Sequence, residues 1–353
     1  MKVLGIETSC DETAAAVVED GSNMLSNVVA SSMDLHVQYG GVVPEIAARS
    51  HIEVILPVID EALQTANCTW DDIDAIAVTY GAGLGGSLLI GVMTARTLAI
   101  AHNKPLYGIN HIMGHVYANY LTETSLSGYQ MQSAQPTFPF LAIIVSGKHS
   151  ELAIFKNHFD YQLLGVTHDD AIGEAFDKVA RMVGLPYPGG PSVAKAALNG
   201  DDRKYKFPKA HMAGKYDFSF SGLKTAVLRL AQAEIGEDYS FPSTKLPERL
   251  SDAQKNDIAA SFQRIAIETI IDKVKLAYEE FEITSVVIAG GVAANQELRR
   301  QLTEALPLPI EYPDMKLCTD NAAMIATLGY FHAKTNQPSA DPYTLDIQPN
   351  LSM

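Results

Sequence analysis

Residues 4–19, LGIETSCDETAAAVVE, match residues 141–156, LAIIVSGKHSELAIFK, without a gap. Each is an apolar strand, a turn of small and polar residues, and a second apolar strand, so both read as β-hairpins. Ser9 falls on Ser146, and Val17 and Val18 fall on Ile154 and Phe155. A second pair follows in the same order. IDAIAVTYG (73–81) and ITSVVIAGG (283–291) are strands ending in glycine. The first leads into a helix through GAGLGGSLLIG, the second through GGVAANQELRR. Short, continuously apolar runs suit strands buried on both faces of a mixed sheet. One such match is within reach of chance; two in the same order imply a duplicated α/β lobe.

At 353 residues the chain is long enough for two domains of ordinary size. The expected division is a first lobe over 1–125, completed by a C-terminal helix over 319–335 that packs back onto it, and a second lobe over 138–318. The polar stretch 123–137 is read as an exposed loop between them. Helical patterns occupy 44–66, 111–122, 172–183, 221–234 and about 253–281. A cleft between two such lobes, lined by hairpin turns and helix N-termini, is an arrangement that holds a nucleotide's phosphates.

Composition excludes several classes. A hydrophobic fraction of 47% with 19% charged residues belongs to a folded chain. The start, MKVLGIETSC, is too short an apolar run for a signal peptide, and no segment approaches the ~20 apolar residues of a membrane helix. Cys10, Cys68 and Cys318 lie far apart with no CxxC pair, which suits a reducing, cytoplasmic setting. A formal net charge of -15 repels phosphate backbones at long range, so RNA binding needs a local basic patch or a basic partner. The one basic run is DDRKYKFPKAHMAGKY. There Arg203, Lys204, Lys206, Lys209 and Lys215 interleave with Tyr205, Phe207 and Tyr216. It reads either as a charged surface loop or as phosphate contacts and stacking rings for RNA.

In NHIMGH, His111 and His115 stand four apart, on one face of a helix. The zinc-protease form of this spacing places a glutamate after the first histidine; here that position is Ile112. Asp320, in CTDNAA, is either a third metal ligand or an ordinary helix cap. As a ligand it would complete a two-His, one-carboxylate site with open positions, suited to Fe(II) or Zn(II). ETSCDE (7–12) and SGKH (146–149) fill the two hairpin turns, where small residues let backbone N–H groups approach a phosphate. GEAFDKVA places Asp177 and Lys178 on a helix. PYPGGP reads as a rigid loop whose glycines are free to take positive φ. Asn295, closing GGVAAN, is a cap or a hydrogen-bonding contact to a nucleotide.

Eight stretches in order, ETSCDET, NHIMGHVYA, VSGKHSEL, GEAFDKVA, YPGGP, FSFSGLKTAV, GGVAAN and CTDNAAMIA, resemble the bacterial tRNA N6-adenosine threonylcarbamoyltransferase family over nearly the whole chain. The resemblance implies the actin-like, sugar-kinase-like fold of two duplicated lobes. It also implies transfer of a threonylcarbamoyl group from threonylcarbamoyl-AMP to N6 of the adenosine 3′ of a tRNA anticodon. Matching positions make His111, His115 and Asp320 ligands of one Fe2+, with Zn2+ as the alternative. Ile144, Val145, Ser146, Gly147, Lys148, Asp177, Gly190 and Asn295 would hold the adenylate. The implied partners are tRNA, a paralogous actin-like subunit and a small ATPase, with no membrane. The family's usual turn is SGGH, so Lys148 stands in place of a glycine, and the loop near 123–137 is longer than usual.

An exocyclic amine attacking an activated acyl carbon needs positioning and a base. Asp11 and Glu12, on the first turn, are the candidates for that base. A kinase or carbamoyltransferase on the same fold is one rival. A non-catalytic scaffold is another, against which the retained histidine pair and Asp320 argue.

Overall fold

Lys2–Glu7 (β1) is buried along almost its whole length, because it lies inside a sheet rather than at an edge. It runs antiparallel to Glu12–Glu19 (β2), with Val3 opposite Val18 and Ile6 opposite Ala15. On its other side it runs parallel to Ala75–Gly81 (β4). Asn23–Ser31 (β3), Leu106–Asn110 (β5) and Glu123–Thr124 (β6) complete a sheet in the order β5-β4-β1-β2-β3-β6. The computed structural model describes residues 1–353 and divides into two compact units. The first is Met1–Pro136 with Glu311–Met353, and the second is Thr137–Ile310.

In the first unit, helices Pro44–Thr65 and Gly85–His102 pack against the sheet. Proline opens the first of them, where its missing N–H costs nothing. The second ends at Asn103 in the left-handed conformation, with φ 52°. Helix Ala322–Lys334 packs against β1, β2 and β4, and every residue from Ala322 to Phe331 is buried. Such close seating needs small residues on the sheet. A methyl added at Gly5 would lie 2.3 Å from the Ala322 carbonyl oxygen and 2.7 Å from Ala326 N. The final segment is strapped to the same unit: Arg96 donates to the carbonyls of Pro342, Tyr343 and Leu345, and Leu345 and Ile347 pack on the core.

The polar stretch at 123–137 is largely exposed but tethered. Thr124 Oγ1 donates to Met24 O, and Gln132 Nε2 donates to Asn119 Oδ1. The helix expected over 111–122 is shorter, His111–Tyr117, followed by a 3₁₀ turn at Ala118–Tyr120. The whole of it is buried, so apolar composition continues past the point where helical bonding stops.

The second sheet holds Phe140–Val145 (β7), Ser150–Asn157 (β8), Asp160–Val166 (β9), Ser285–Ala289 (β10) and, where the second unit ends, Ile310–Glu311 (β11). Their order is β11-β10-β7-β8-β9. Replacing each strand by its counterpart in the first sheet reproduces β5-β4-β1-β2-β3, so the duplication read from the sequence is a duplication of topology. Helices Ile172–Val183 and Ser221–Glu234 fall where their patterns place them, and the long one is Asp252–Glu280, opened by a Ser251/Gln254 capping box.

One expectation fails here. PGGP is not a loop with positive-φ glycines; it opens helix Gly189–Ala197, with Pro191 in the first turn. A proline is tolerated there because those N–H groups have no helical partner. Glycine at 189 is needed for space, since a methyl would lie 2.4 Å from Asp177 Cα. Of the two readings of the basic run, the charged surface segment is the one that fits. Lys204 pairs with Asp257 at 2.6 Å, Lys209 with Asp272 at 2.7 Å and Glu268 at 3.2 Å, and Lys215 with Glu280. Tyr205, Phe207 and Tyr216 are buried, with no ring face to offer a base. The run is a strap laid on the acidic side of helix Asp252–Glu280.

Candidate metal centre and the turns of each unit

Asn110 ends β5 and caps the next helix, its Oδ1 accepting from the backbone N–H groups of Ile112 and Met113. The cap sets the first turn, and the spacing of four then puts His111 and His115 on one face. Their rings meet edge to face with centroids 4.7 Å apart. Asp320 comes from the segment before helix Ala322–Lys334. The cap of that helix is Asn321, whose side chain accepts from Met324 N, so the two readings of Asp320 separate. Its Oδ1 lies 3.2 Å from His115 Nε2 and 3.5 Å from His111 Nε2. Ligand atoms of the three residues all lie within 4.8 Å of one another.

The donor set fits a divalent cation. His115 is buried, and its Nε2 makes no hydrogen bond although Asp320 is within ion-pair distance. The two groups are near each other without being aligned as donor and acceptor, as two ligands of one ion are. His111 turns its other nitrogen away: Nδ1 lies 3.1 Å from Glu7 Oε2 and 3.1 Å from Ser9 Oγ.

Charge around the cluster is negative. Glu7 is fully buried, and burial opposes its ionisation. The charge and hydrogen bond of His111, with a hydrogen bond from Thr79, outweigh that and hold its carboxyl below the ordinary range. Glu12 goes the other way. Burial, then the charges of Asp320 and Asp11, push it up to about 9. A side-chain hydrogen bond with Asp11 adds to the rise.

The first hairpin turn is anchored from several sides. His51 Nε2 donates to Cys10 O at 3.0 Å while its Nδ1 accepts from Thr13 Oγ1 at 2.7 Å. Desolvation, opposed by the bond to Cys10 O and by the Glu7 and Asp11 carboxylates, keeps His51 below its usual pKa. Ser87 Oγ also donates to Cys10 O, and Leu84 N donates to Ser9 O. Sequence reasoning gives no role to Glu7, Thr79 or Asn110, and takes Ser9 only as the counterpart of Ser146. The available signal was Glu7 itself, a carboxylate at the inner end of an apolar strand, where a charge must find partners.

In the second unit, Ile144 and Val145 are buried strand residues, and Ile144 is paired on both sides, with Glu151 and Ala289. The turn proper is Ser146, Gly147 and Lys148, closed by Ser146 N donating to His149 O at 2.9 Å. Gly173 packs under it: its N–H donates to Ser146 O, and a methyl there would lie 2.6 Å from that oxygen. Gly290, with φ +88°, abuts Val145 O, where a methyl would come to 2.5 Å. Asp177 Oδ1 accepts from Gly189 N at 2.7 Å, beside Gly190. Burial raises the Asp177 carboxyl against the pull of that hydrogen bond. Asn295 is a cap: Oδ1 accepts from Glu297 N and Leu298 N, and Nδ2 donates to Gln263 Oε1.

Among solved structures, Thermococcus kodakarensis HypF superposes with a TM-score of 0.60 at 14% identity, over 95% of this chain and 48% of that one. The activator of the 2-hydroxyisocaproyl-CoA dehydratase from Clostridium difficile, with bound ADPNP, gives 0.51 at 14% identity over 99% and 100%. At these identities the likeness shows the fold alone, the duplicated α/β fold of actin-like and sugar-kinase proteins. The tRNA N6-adenosine threonylcarbamoyltransferase of Thermomicrobium roseum is 51% identical over 341 residues, 95% of this chain and 92% of its own. That of Dehalococcoides mccartyi is 47% identical over 353 residues, 100% and 99%. The family model TsaD, tRNA N6-adenosine threonylcarbamoyltransferase, matches residues 23–327. By that match and those identities, the chain belongs to the tRNA N6-adenosine threonylcarbamoyltransferase family.

Proposed function

We propose that the chain transfers the threonylcarbamoyl group of threonylcarbamoyl-AMP to N6 of the adenosine 3′ of a tRNA anticodon, releasing AMP. The observation that carries the reading, within this family, is the converged set His111, His115 and Asp320 with an unaligned His115 Nε2. These residues hold one divalent cation, Fe2+ by the donor set, with Zn2+ as the alternative. When bound, the ion supplies positive charge that orients and polarises an acyl donor. Ile144–Lys148, Asp177, Gly190 and Asn295 serve the adenylate. Ile144 and Val145 do so by carrying the turn, and Asn295 by fixing the start of helix Gln296–Ala305.

N6 attacks the carbamoyl carbon, the bond from that carbon to the phosphate oxygen breaks, and AMP departs with the electron pair. Asp11 takes the proton released from N6. Glu12, protonated, is a hydrogen-bond donor that fixes Asp11. The reaction runs in the cytoplasm with a paralogous actin-like subunit and a small ATPase.

The test supplies threonylcarbamoyl-AMP and unmodified tRNA to the purified complex and measures modified adenosine by nucleoside mass spectrometry. Asp320→Asn is expected to lower product formation by at least about 100-fold, with bound metal lost in parallel. Full activity in a metal-depleted Asp320→Asn complex refutes the reading.

A further inference from the structure

Glu7 is absent from every role assigned above, yet it is the best-connected buried charge in the first unit. It has no exposed surface. Its Oε1 accepts from Ser9 N at 2.5 Å, and its Oε2 accepts from Thr79 Oγ1 at 2.5 Å. The same Oε2 lies 3.1 Å from His111 Nδ1. The donors come from the first turn, from β4 and from the histidine helix, so the carboxylate is fixed from three directions. A buried carboxylate is retained only where specific partners offset its desolvation.

His111 Nδ1 has a second neighbour, Ser9 Oγ, also at 3.1 Å. A hydroxyl can donate or accept, so Ser9 alone leaves the tautomer open. An ionised carboxylate only accepts. It requires a proton on Nδ1, so in the neutral ring Nε2 is the nitrogen left to bind a metal, on the side where Asp320 Oδ1 lies 3.5 Å away. Without Glu7, Ser9 can donate to Nδ1, moving the ring proton to Nε2 and blocking the ligand position.

We infer that Glu7 is a positioning residue for the metal centre, selecting the His111 tautomer and holding the ring so that Nε2 faces His115 and Asp320. The inference rests on the metal-site reading above. Carboxylates that receive the second N–H of a ligating histidine tune metal affinity without touching the metal.

Glu7→Gln is close in shape but puts an amide NH2 where an acceptor is required. It is expected to weaken Zn2+ binding, measured by chelator competition, about 10–100-fold. In the metal-free protein, at a pH where the ring is neutral, 15N NMR of the histidines should show His111 move from the Nδ1–H to the Nε2–H form. A merely structural role would lower the melting temperature and leave the tautomer unchanged. Zn2+ affinity equal to wild type, or an unaltered tautomer, overturns the inference.

His111→Ala and His115→Ala separate the two layers. If both bind Zn2+ like wild type, the metal-site reading fails and carries this one with it. If both lose Zn2+ and Glu7→Gln does not, only the role of Glu7 fails. Should Glu7→Gln not fold, Thr79→Val removes a single hydroxyl from Glu7 Oε2 and is expected to weaken Zn2+ binding about 3–10-fold. Unchanged affinity in Thr79→Val then refutes the proposal.

Discussion

Gly5→Ala is the sharpest probe of how Asp320 reaches the histidines. The added methyl would lie 2.3 Å from the Ala322 carbonyl oxygen, more than an ångström inside the 3.4 Å at which ordinary contact begins. Its other neighbours are Ala326 N at 2.7 Å and Ala326 Cβ at 2.9 Å. None of these is the end of a flexible side chain, so relief requires helix Ala322–Lys334 to move off the sheet. Overpacking costs about 1–3 kcal/mol, and a clash against backbone belongs at the upper end. For a unit of this size, about 3 kcal/mol lowers the melting temperature by roughly 6–12 °C. Trp70, the chain's one tryptophan, packs on the core of the first unit and stacks on His102 at 4.0 Å. Its fluorescence reports the unfolding of that unit alone. Because Asp320 lies two residues before the helix, Zn2+ affinity should fall by at least about tenfold as well, metal sites tolerating only ~0.2 Å of displacement. Gly85→Ala is the control. Its methyl meets Pro349 at 3.6 Å, an ordinary contact, and should change stability by less than about 0.5 kcal/mol. If Gly5→Ala melts within about 2 °C of wild type and keeps its Zn2+ affinity, the seating of this helix does not place Asp320.

Glu12 makes the metal-free protein sensitive to pH. With its carboxyl raised from 4.5 to about 9, the folded chain holds one proton more than the unfolded chain between those values. Stability should therefore fall as pH rises across that window, by up to about 1.4 kcal/mol per pH unit from this group. Glu12→Gln is expected to remove that part of the slope in urea titrations at pH 5, 7 and 9; a slope identical to wild type contradicts the assignment. Gly173→Ala tests the second unit. Its methyl would press on Ser146 O at 2.6 Å and Gly147 Cα at 2.8 Å, displacing the turn. AMP binding by calorimetry should weaken at least about tenfold while Zn2+ affinity is kept, about 1.4 kcal/mol being a modest effect for a moved backbone. Equal AMP affinity would show that the turn does not hold the adenylate.

What was legible in the sequence depended on whether a residue's role is decided by its neighbours in the chain. The two hairpins were legible because apolar runs and small-residue turns are local signals, and their repetition carried over to the strand order of both sheets. The boundaries of Ile172–Val183 and Ser221–Glu234 were legible for the same reason. PGGP was misread because glycine and proline mark a loop and the first turn of a helix alike. What decides between them is the close approach of Asp177 to Gly189, twelve residues away in the chain. The basic run stayed open between a charged surface loop and an RNA contact because sequence shows the lysines without their partners. Asp257, Glu268, Asp272 and Glu280 all lie on one distant helix.

The candidate metal centre divides along the same line. Four-residue spacing placed His111 and His115 together, but Asp320 stood undecided between ligand and cap. Asn321 takes the cap, which leaves the Asp320 carboxylate beside the two histidines, and Gly5 lets the helix come this close. Glu7 was the least legible of all, because nothing in ETSCDE distinguishes a carboxylate facing solvent from one buried behind a histidine. Its role follows only from three donors converging on it from separate elements. Ligands can be read from spacing when a helix supplies the period. The groups that orient those ligands come from whichever strand happens to lie behind them, and so appear only once the sheet is built.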